Sequence, residues 1–246
     1  MADTSSIVLP CRYYRIFPPD APLGHAEESL ELLPEETAFL LVDVYGLGYD
    51  EGSEPAAVPD IYRLAVAQNR TIIVNHVKPA KVAARKSGMA VVYATNYLAP
   101  STTVECEWRK VSLRSVGVDV LQVFQQPTDI LKFSRVIEPG PGDYVIRKQH
   151  YSAFFETHLE SLLKELGIRN LVVVGFDSQV CLRATVTDAL FRNYRVIVLR
   201  DSVGTLEFPD TREGRWSSLL AIRYIETCVG YTATSEDFVR ACGGTV

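Results

Sequence analysis

Short, mostly apolar runs recur along this chain with helix-length segments between them. The runs are residues 37–44 (TAFLLVDV), 89–95 (MAVVYAT), 144–148 (YVIRK), 170–174 (NLVVV) and 194–199 (YRVIVL), with a further short one around 228–231. Each is too short for a typical helix, and the most apolar of them read as strands buried on both faces. The segments between them read as helices: 69–86, part of 109–125, 152–166, 180–193 and 211–227, then a terminal helix capped by Ser235 with Asp237 in its first turn. Pro79 is expected to kink the first of these or mark a first turn, and Gly88 to cap it. Strands alternating with helices require crossover connections, hence a parallel sheet with helices on both faces. The expected fold class is α/β: three layers, α/β/α, around a six-stranded, mostly parallel sheet.

The 246 residues are 47% hydrophobic and 22% charged, enough for one large core without covalent staples. A net charge of −5 with no basic stripe disfavours a nucleic-acid partner. No apolar stretch approaches membrane-spanning length, and the first residues lack the pattern of a secretory signal. The five cysteines, Cys11, Cys106, Cys181, Cys228 and Cys242, are odd in number and scattered. They make no disulfide framework and fit a reducing compartment, so a cytoplasmic location is expected. Residues 1–36, rich in Pro, Tyr and Glu, read as an extended N-terminal arm, and 37–246 as the domain proper.

In a parallel sheet, ligands bind beyond the carboxyl ends of the strands. Three chemically unlike groups fall there: Asp43, Lys148 and Cys181. Cys181 follows a strand and a glycine-containing turn and opens a helix. The helix N-terminus favours the thiolate, which is the nucleophilic form. A lone cysteine more often packs as a small hydrophobe, and a lone lysine after a strand is more often a surface group. The three together permit covalent catalysis. Cys181 attacks an electrophilic carbon, Asp43 moves the proton as general base and acid, and Lys148 holds both partners charged. The backbone N–H groups of Asp177 and Cys181 are the natural donors to the developing oxyanion.

The motifs around these residues resemble those of the isochorismatase-like cysteine hydrolases, the superfamily of nicotinamidases, N-carbamoylsarcosine amidohydrolases and ureidoacrylate amidohydrolases. The strand ending Leu41-Val42-Asp43-Val44-Tyr45 is similar to the family's opening motif. Lys148-Gln149-His150-Tyr151-Ser152-Ala153-Phe154-Phe155 resembles its lysine motif, and Gly175, Ser178 and Cys181 match its nucleophile motif. The resemblance covers residues 37–246. It implies a Rossmann-like isochorismatase-like hydrolase fold, a catalytic triad of Asp43, Lys148 and Cys181, and a cis peptide at Phe176–Asp177. It also implies a homodimer or homotetramer. Tyr45 stands where many members have Gln, and His150 where several ureido-type members have Arg. The metal-ligand histidines of nicotinamidases have no counterpart in residues 95–100 (TNYLAP), and His76 lies too early, so neither a metal nor a cofactor is expected.

Tyr45, Asn96, Trp108, Tyr151, Phe155 and Ser178 are candidates to line the substrate site, each aromatic being as apt to pack in the core or between subunits. The expected function is metal-independent cysteine amidohydrolysis: a C–N bond of a small amide, ureido or N-carbamoyl compound is cleaved through a thioester, releasing ammonia or an amine. Two alternatives stay open. One is a catalytically idle relative that binds a small molecule or a protein partner. The other is a redox protein using Cys181 as a peroxidatic thiol.

Overall fold

The computed structural model describes residues 6–21, 23–46, 50, 60–97, 106–117, 119–121 and 131–245. The loop read over 45–59 and the stretch 109–125 fall partly outside these residues. The strands are β1 (Ile7–Arg15), β2 (Gly24–Leu32), β3 (Thr37–Val42), β4 (Ala90–Asn96), β5 (Tyr144–Lys148), β6 (Asn170–Phe176), β7 (Arg195–Gly204) and β8 (Tyr231–Ala233). The helices are α1 (Asp60–Ile72), α2 (Lys78–Lys86), α3 (Glu107–Val116), α4 (Leu159–Glu165), α5 (Cys181–Phe191), α6 (Trp216–Tyr224) and α7 (Ser235–Ala241).

All eight strands form one sheet in the order β2-β1-β8-β7-β6-β3-β4-β5. The six strands from β3 to β8 pair in parallel, while β1 and β2 form an antiparallel hairpin that joins β8 through the pair Arg12↔Thr232. The sheet therefore has two strands more than the six read from sequence. A period-two signal is present in the hairpin: Ile7, Leu9 and Cys11 are buried in β1, and Leu30 and Leu32 in β2. Pro10, which has no N–H to give a ladder, and the acidic run of β2, the outermost strand, mask it.

Alternation along the central strands divides the core. Phe39 and Leu41 of β3 and Val172 and Val174 of β6 face one apolar cluster with Val77, Ala80 and Phe238 from the 60–86 helix and α7. Ala38, Leu40 and Val42, with Leu171 and Val173, face the other, with Leu163 of α4 and Leu182 and Val186 of α5. Both faces of β3 and β6 are buried, hence their continuous apolar runs.

α1 runs into α2 through a π-helical turn at Ile73–Val77, and Pro79 lies just after that turn, where it removes one N–H from the continuing helix. Residues 152–158 are not helical, unlike the sequence reading of 152–166. The Ser152 hydroxyl accepts from Phe154 N–H, the Thr157 hydroxyl donates to the Ala153 carbonyl and accepts from Leu159 N–H, and Glu156 takes φ 53°. Such side-chain bonds give the backbone an alternative to the helix. Thr234, rather than Ser235, caps α7, its side chain accepting from Asp237 N–H at 3.0 Å.

Candidate active site

The sheet order reverses between β3 and β6: from β3 the chain adds β4 and β5 on one side, then β6, β7 and β8 on the other. A crevice opens at such a reversal, outside the carboxyl ends of the strands. Asp43 follows β3, Asn96 ends β4, Lys148 ends β5, and Cys181 begins α5 after β6. Asn96 and Lys148 are register partners in the β4–β5 ladder. Gly175 brings β6 close to β3. Its φ is +117°, and a Cβ there would lie 2.0 Å from the Val42 carbonyl oxygen, so no other residue fits.

Lys148 is fully buried and Asp43 nearly so. The Lys148 Nζ lies 2.9 Å from Asp43 Oδ2 and donates to Asn96 Oδ1 at 2.5 Å and to the His150 carbonyl at 3.2 Å. The second carboxylate oxygen, Asp43 Oδ1, accepts from the Tyr45 hydroxyl at 2.6 Å. That hydroxyl in turn accepts from Asn96 N–H at 2.9 Å. Asp43 itself sits at φ 51°, a strained backbone for a residue with a Cβ, with its N–H on the Ala94 carbonyl at 3.0 Å.

The half-buried Cys181 thiol is within hydrogen-bond reach of both Asp43 and Lys148. Burial pushes the thiol well above its ordinary value, Asp43 adds to the rise, and Lys148 opposes it. Burial and Asp43 together thus favour the protonated thiol. Burial works against the charge on Lys148, but Asp43 and Cys181 outweigh it and raise its pKa. The ammonium thus persists across the neutral range. Burial and the adjacent Asp43 charge likewise hold the Tyr45 hydroxyl protonated.

The turn before Cys181 is tied down by Asp177, whose peptide bond with Phe176 is cis. Its carboxylate accepts from Gln179 N–H at 2.7 Å, from Leu206 N–H at 3.3 Å and from the Thr205 hydroxyl. Burial raises the Asp177 carboxyl above the usual range. Buried Ser178 donates its N–H to the Gly204 carbonyl at 2.8 Å. The Cys181 carbonyl accepts from Thr185 Oγ1 at 2.8 Å, and that oxygen also accepts from Ala153 N–H, coupling α5 to the segment after β5.

Of the other sequence candidates, Trp108 packs on His150 with ring centroids 5.4 Å apart and on Tyr151 at 5.8 Å, and His150 meets Phe155 at 5.2 Å. These four rings form one cluster next to the Lys148 carbonyl contact. Tyr151 and Phe155 keep much of their surface exposed. Tyr45 and Asn96 have polar atoms committed to Asp43 and Lys148. The sequence reading missed Thr205 as a partner of Asp177, and no local signal marks it. It also missed Asn96 as a partner of Lys148, although two polar residues closing adjacent apolar strands were a legible sign. Among the described residues, no group of three or more His, Cys, Asp or Glu is placed to hold a metal ion, and no helix is long and apolar enough to cross a membrane. His76 instead meets Ser235 and Asp201.

Comparison with known proteins agrees with this geometry. The chain is 29% identical over 225 residues to the ureidoacrylate amidohydrolase RutB of Agrobacterium fabrum, spanning 88% of this chain and 92% of that one. It is 28% identical to RutB of Pantoea ananatis, over 90% of this chain and 88% of that one. Among solved structures, it is similar to a cysteine hydrolase from Pseudomonas syringae pv. phaseolicola (TM-score 0.71, 21% identity, 85% of this chain and 93% of the other). It is also similar to the N-carbamoylsarcosine amidase of Thermoplasma acidophilum (TM-score 0.58, 25% identity, 82% and 97%). Residues 61–237 match the family model described as the isochorismatase domain. With this match over most of its length, and the strand order reversing at β3 and β6, the chain belongs to the isochorismatase family.

Proposed function

We propose that this chain is a cysteine amidohydrolase that cleaves a C–N bond of a small amide, ureido or N-carbamoyl compound through a thioester, without a metal. The observation that carries the reading is the Cys181 thiol at the head of α5, in hydrogen-bond reach of both Asp43 and Lys148. The names of two relatives, a ureidoacrylate amidohydrolase and an N-carbamoylsarcosine amidase, support the substrate class.

The chemistry follows from the groups present. Asp43 takes the thiol proton as the sulfur attacks the substrate carbonyl carbon. Lys148, positive and buried beside the sulfur, stabilises the thiolate as it forms. The oxyanion is assigned to the N–H groups of Asp177 and Cys181. The Cys181 N–H, in the first turn of α5, has no intrahelical acceptor and lies at the positive end of the helix. Protonated Asp43 then delivers its proton to the departing nitrogen, and ammonia or an amine leaves. Water, deprotonated by the same carboxylate, hydrolyses the thioester and restores the thiol. Trp108, Tyr151, Phe155, Asn96 and Ser178 are assigned to the substrate pocket, the rings giving shape and Asn96 a polar contact.

Ammonia release from a panel of small amides, ureas and N-carbamoyl compounds tests the proposal, using wild type and Cys181→Ala with and without chelator. Release that needs Cys181 and ignores chelator is expected. Release by Cys181→Ala at the wild-type rate would overturn the mechanism.

A further inference from the structure

We infer that Tyr45 is a positioning residue that sets the basicity and orientation of Asp43, rather than part of the substrate wall. This rests on the proposed role of Asp43 as the base. The carboxylate is held at both oxygens by different groups: Lys148 at Oδ2, 2.9 Å away, and the Tyr45 hydroxyl at Oδ1, 2.6 Å away. A tyrosine hydroxyl has one proton to give, and here that proton is directed at Asp43, because the same oxygen accepts from Asn96 N–H at 2.9 Å. The ring therefore presents no free O–H to a substrate.

The segment that carries Tyr45 is fixed independently of Asp43. Tyr45 bridges Phe133 in antiparallel fashion, Gly46 N–H donates to the Lys132 carbonyl at 2.8 Å, and Ser134 N–H to the Val44 carbonyl at 3.3 Å. Buried Asp50 locks the same corner, accepting from the Ser134 hydroxyl at 2.5 Å and from Arg135 N–H at 2.8 Å. Gly46 is confined there, since a Cβ would lie 2.8 Å from Asp50 Oδ2. A hydroxyl on so braced a segment holds the carboxylate in one rotamer, with its remaining lone pairs free for the thiol proton.

The titratable groups facing Asp43 among the described residues are Tyr45 on its own segment, Lys148 at the end of β5 and Cys181 at the start of α5. Lys148 and Tyr45 both donate to the Asp43 carboxylate, so removing either donor changes how that carboxylate meets the Cys181 proton. Losing the Tyr45 bond is therefore expected to move the pH profile of Cys181 reactivity upward.

The test follows alkylation of Cys181 by iodoacetamide across pH, read by mass spectrometry of the Cys181 peptide, in wild type, Tyr45→Phe and a protein with 3-fluorotyrosine in place of Tyr45. Tyr45→Phe is expected to move the acidic limb up by about one pH unit. The fluorinated ring is nearly isosteric and a stronger donor, so it should move the limb down, which also covers a Phe variant that folds poorly. An acidic limb unmoved in both proteins overturns the inference. A raised KM for an active amide with an unmoved limb would return Tyr45 to the substrate wall. Because alkylation needs no substrate, an inactive amide panel would count against the proposed function and leave this readout intact.

Discussion

Asp43 and Lys148 are each costly where they lie. A buried charge without a partner is strongly unfavourable, and breaking a buried pair by removing one member costs about 3–5 kcal/mol. Lys148→Met is therefore expected to lower unfolding free energy by about that amount in urea, and adding Asp43→Asn should recover part of the loss. Equal stability of the single and double variants would show that the pair is not coupled. Cys181→Ala removes only a small half-buried side chain, so its unfolding midpoint should stay close to wild type. On the proposed mechanism its turnover should fall by about 10⁴-fold or more, since a nucleophile and its base act as a unit. At this scale the positions of Asp43, Lys148 and Cys181 were legible because each lies at a strand end or opens a helix, places with recognisable local patterns. The bonds from Tyr45 to Asp43 and from Thr205 to Asp177 were not legible. They join residues whose proximity is set by the turn after β3 and by the β6–β7 pairing.

A buried carboxylate is among the contacts that fasten the N-terminal hairpin to the sheet. Glu226, in the π-helical turn Ile225–Val229, accepts from Arg12 at 2.7 Å and from the Thr232 hydroxyl at 2.7 Å, and contacts His25 at 3.1 Å. Glu226→Gln removes the charge that pairs Arg12, and a loss of about 2 kcal/mol is expected for charged hydrogen bonds of this kind. A denaturation midpoint equal to wild type would show that the Glu226 charge does not stabilise the attachment of the hairpin. The strands β3 to β6 and the helix α5 were read with bounds close to those found, because burial on one or both faces writes a clear period into the sequence, whereas α4 and α6 begin later, and β7 ends later, than the sequence reading places them. The segment 152–158 was misread because it shares the apolar content of a helix but satisfies its backbone through serine and threonine side chains.

Several buried groups in the whole molecule share one sign of pH dependence. Burial raises the thiols of Cys11, to about 12, and of Cys181, as well as the hydroxyls of Tyr45 and Tyr93. For Lys148, Asp43 and Cys181 outweigh burial and raise the pKa. In each case the folded protein keeps a proton that the unfolded chain releases at lower pH. Their contribution is fully present below the unfolded pKa values and is lost as pH rises through the folded ones. Stability should hold to roughly pH 8.5, where unfolded thiols begin to ionise, and then fall steadily towards pH 12. Urea midpoints at several pH values measure this. Cys11→Ala should flatten the alkaline slope, by about 1.4 kcal/mol for each pH unit between the unfolded and folded thiol values.

The residue pattern by itself determined the layered α/β class, the position of Asp43, Lys148 and Cys181 at the carboxyl ends of strands, and the chemistry those types allow. These follow from local periodicity and from the rule that parallel sheets expose one functional edge. The tertiary structure decided which residues hold the three in place. Strand order put β3 beside β6, a glycine-only contact at Gly175 brought the two strands together, and the β4–β5 register set Asn96 against Lys148. It also turned the N-terminal residues into sheet strands. Those outcomes depend on pairings between residues tens to hundreds of positions apart, whose free energy is gained only when the chain has closed around its core.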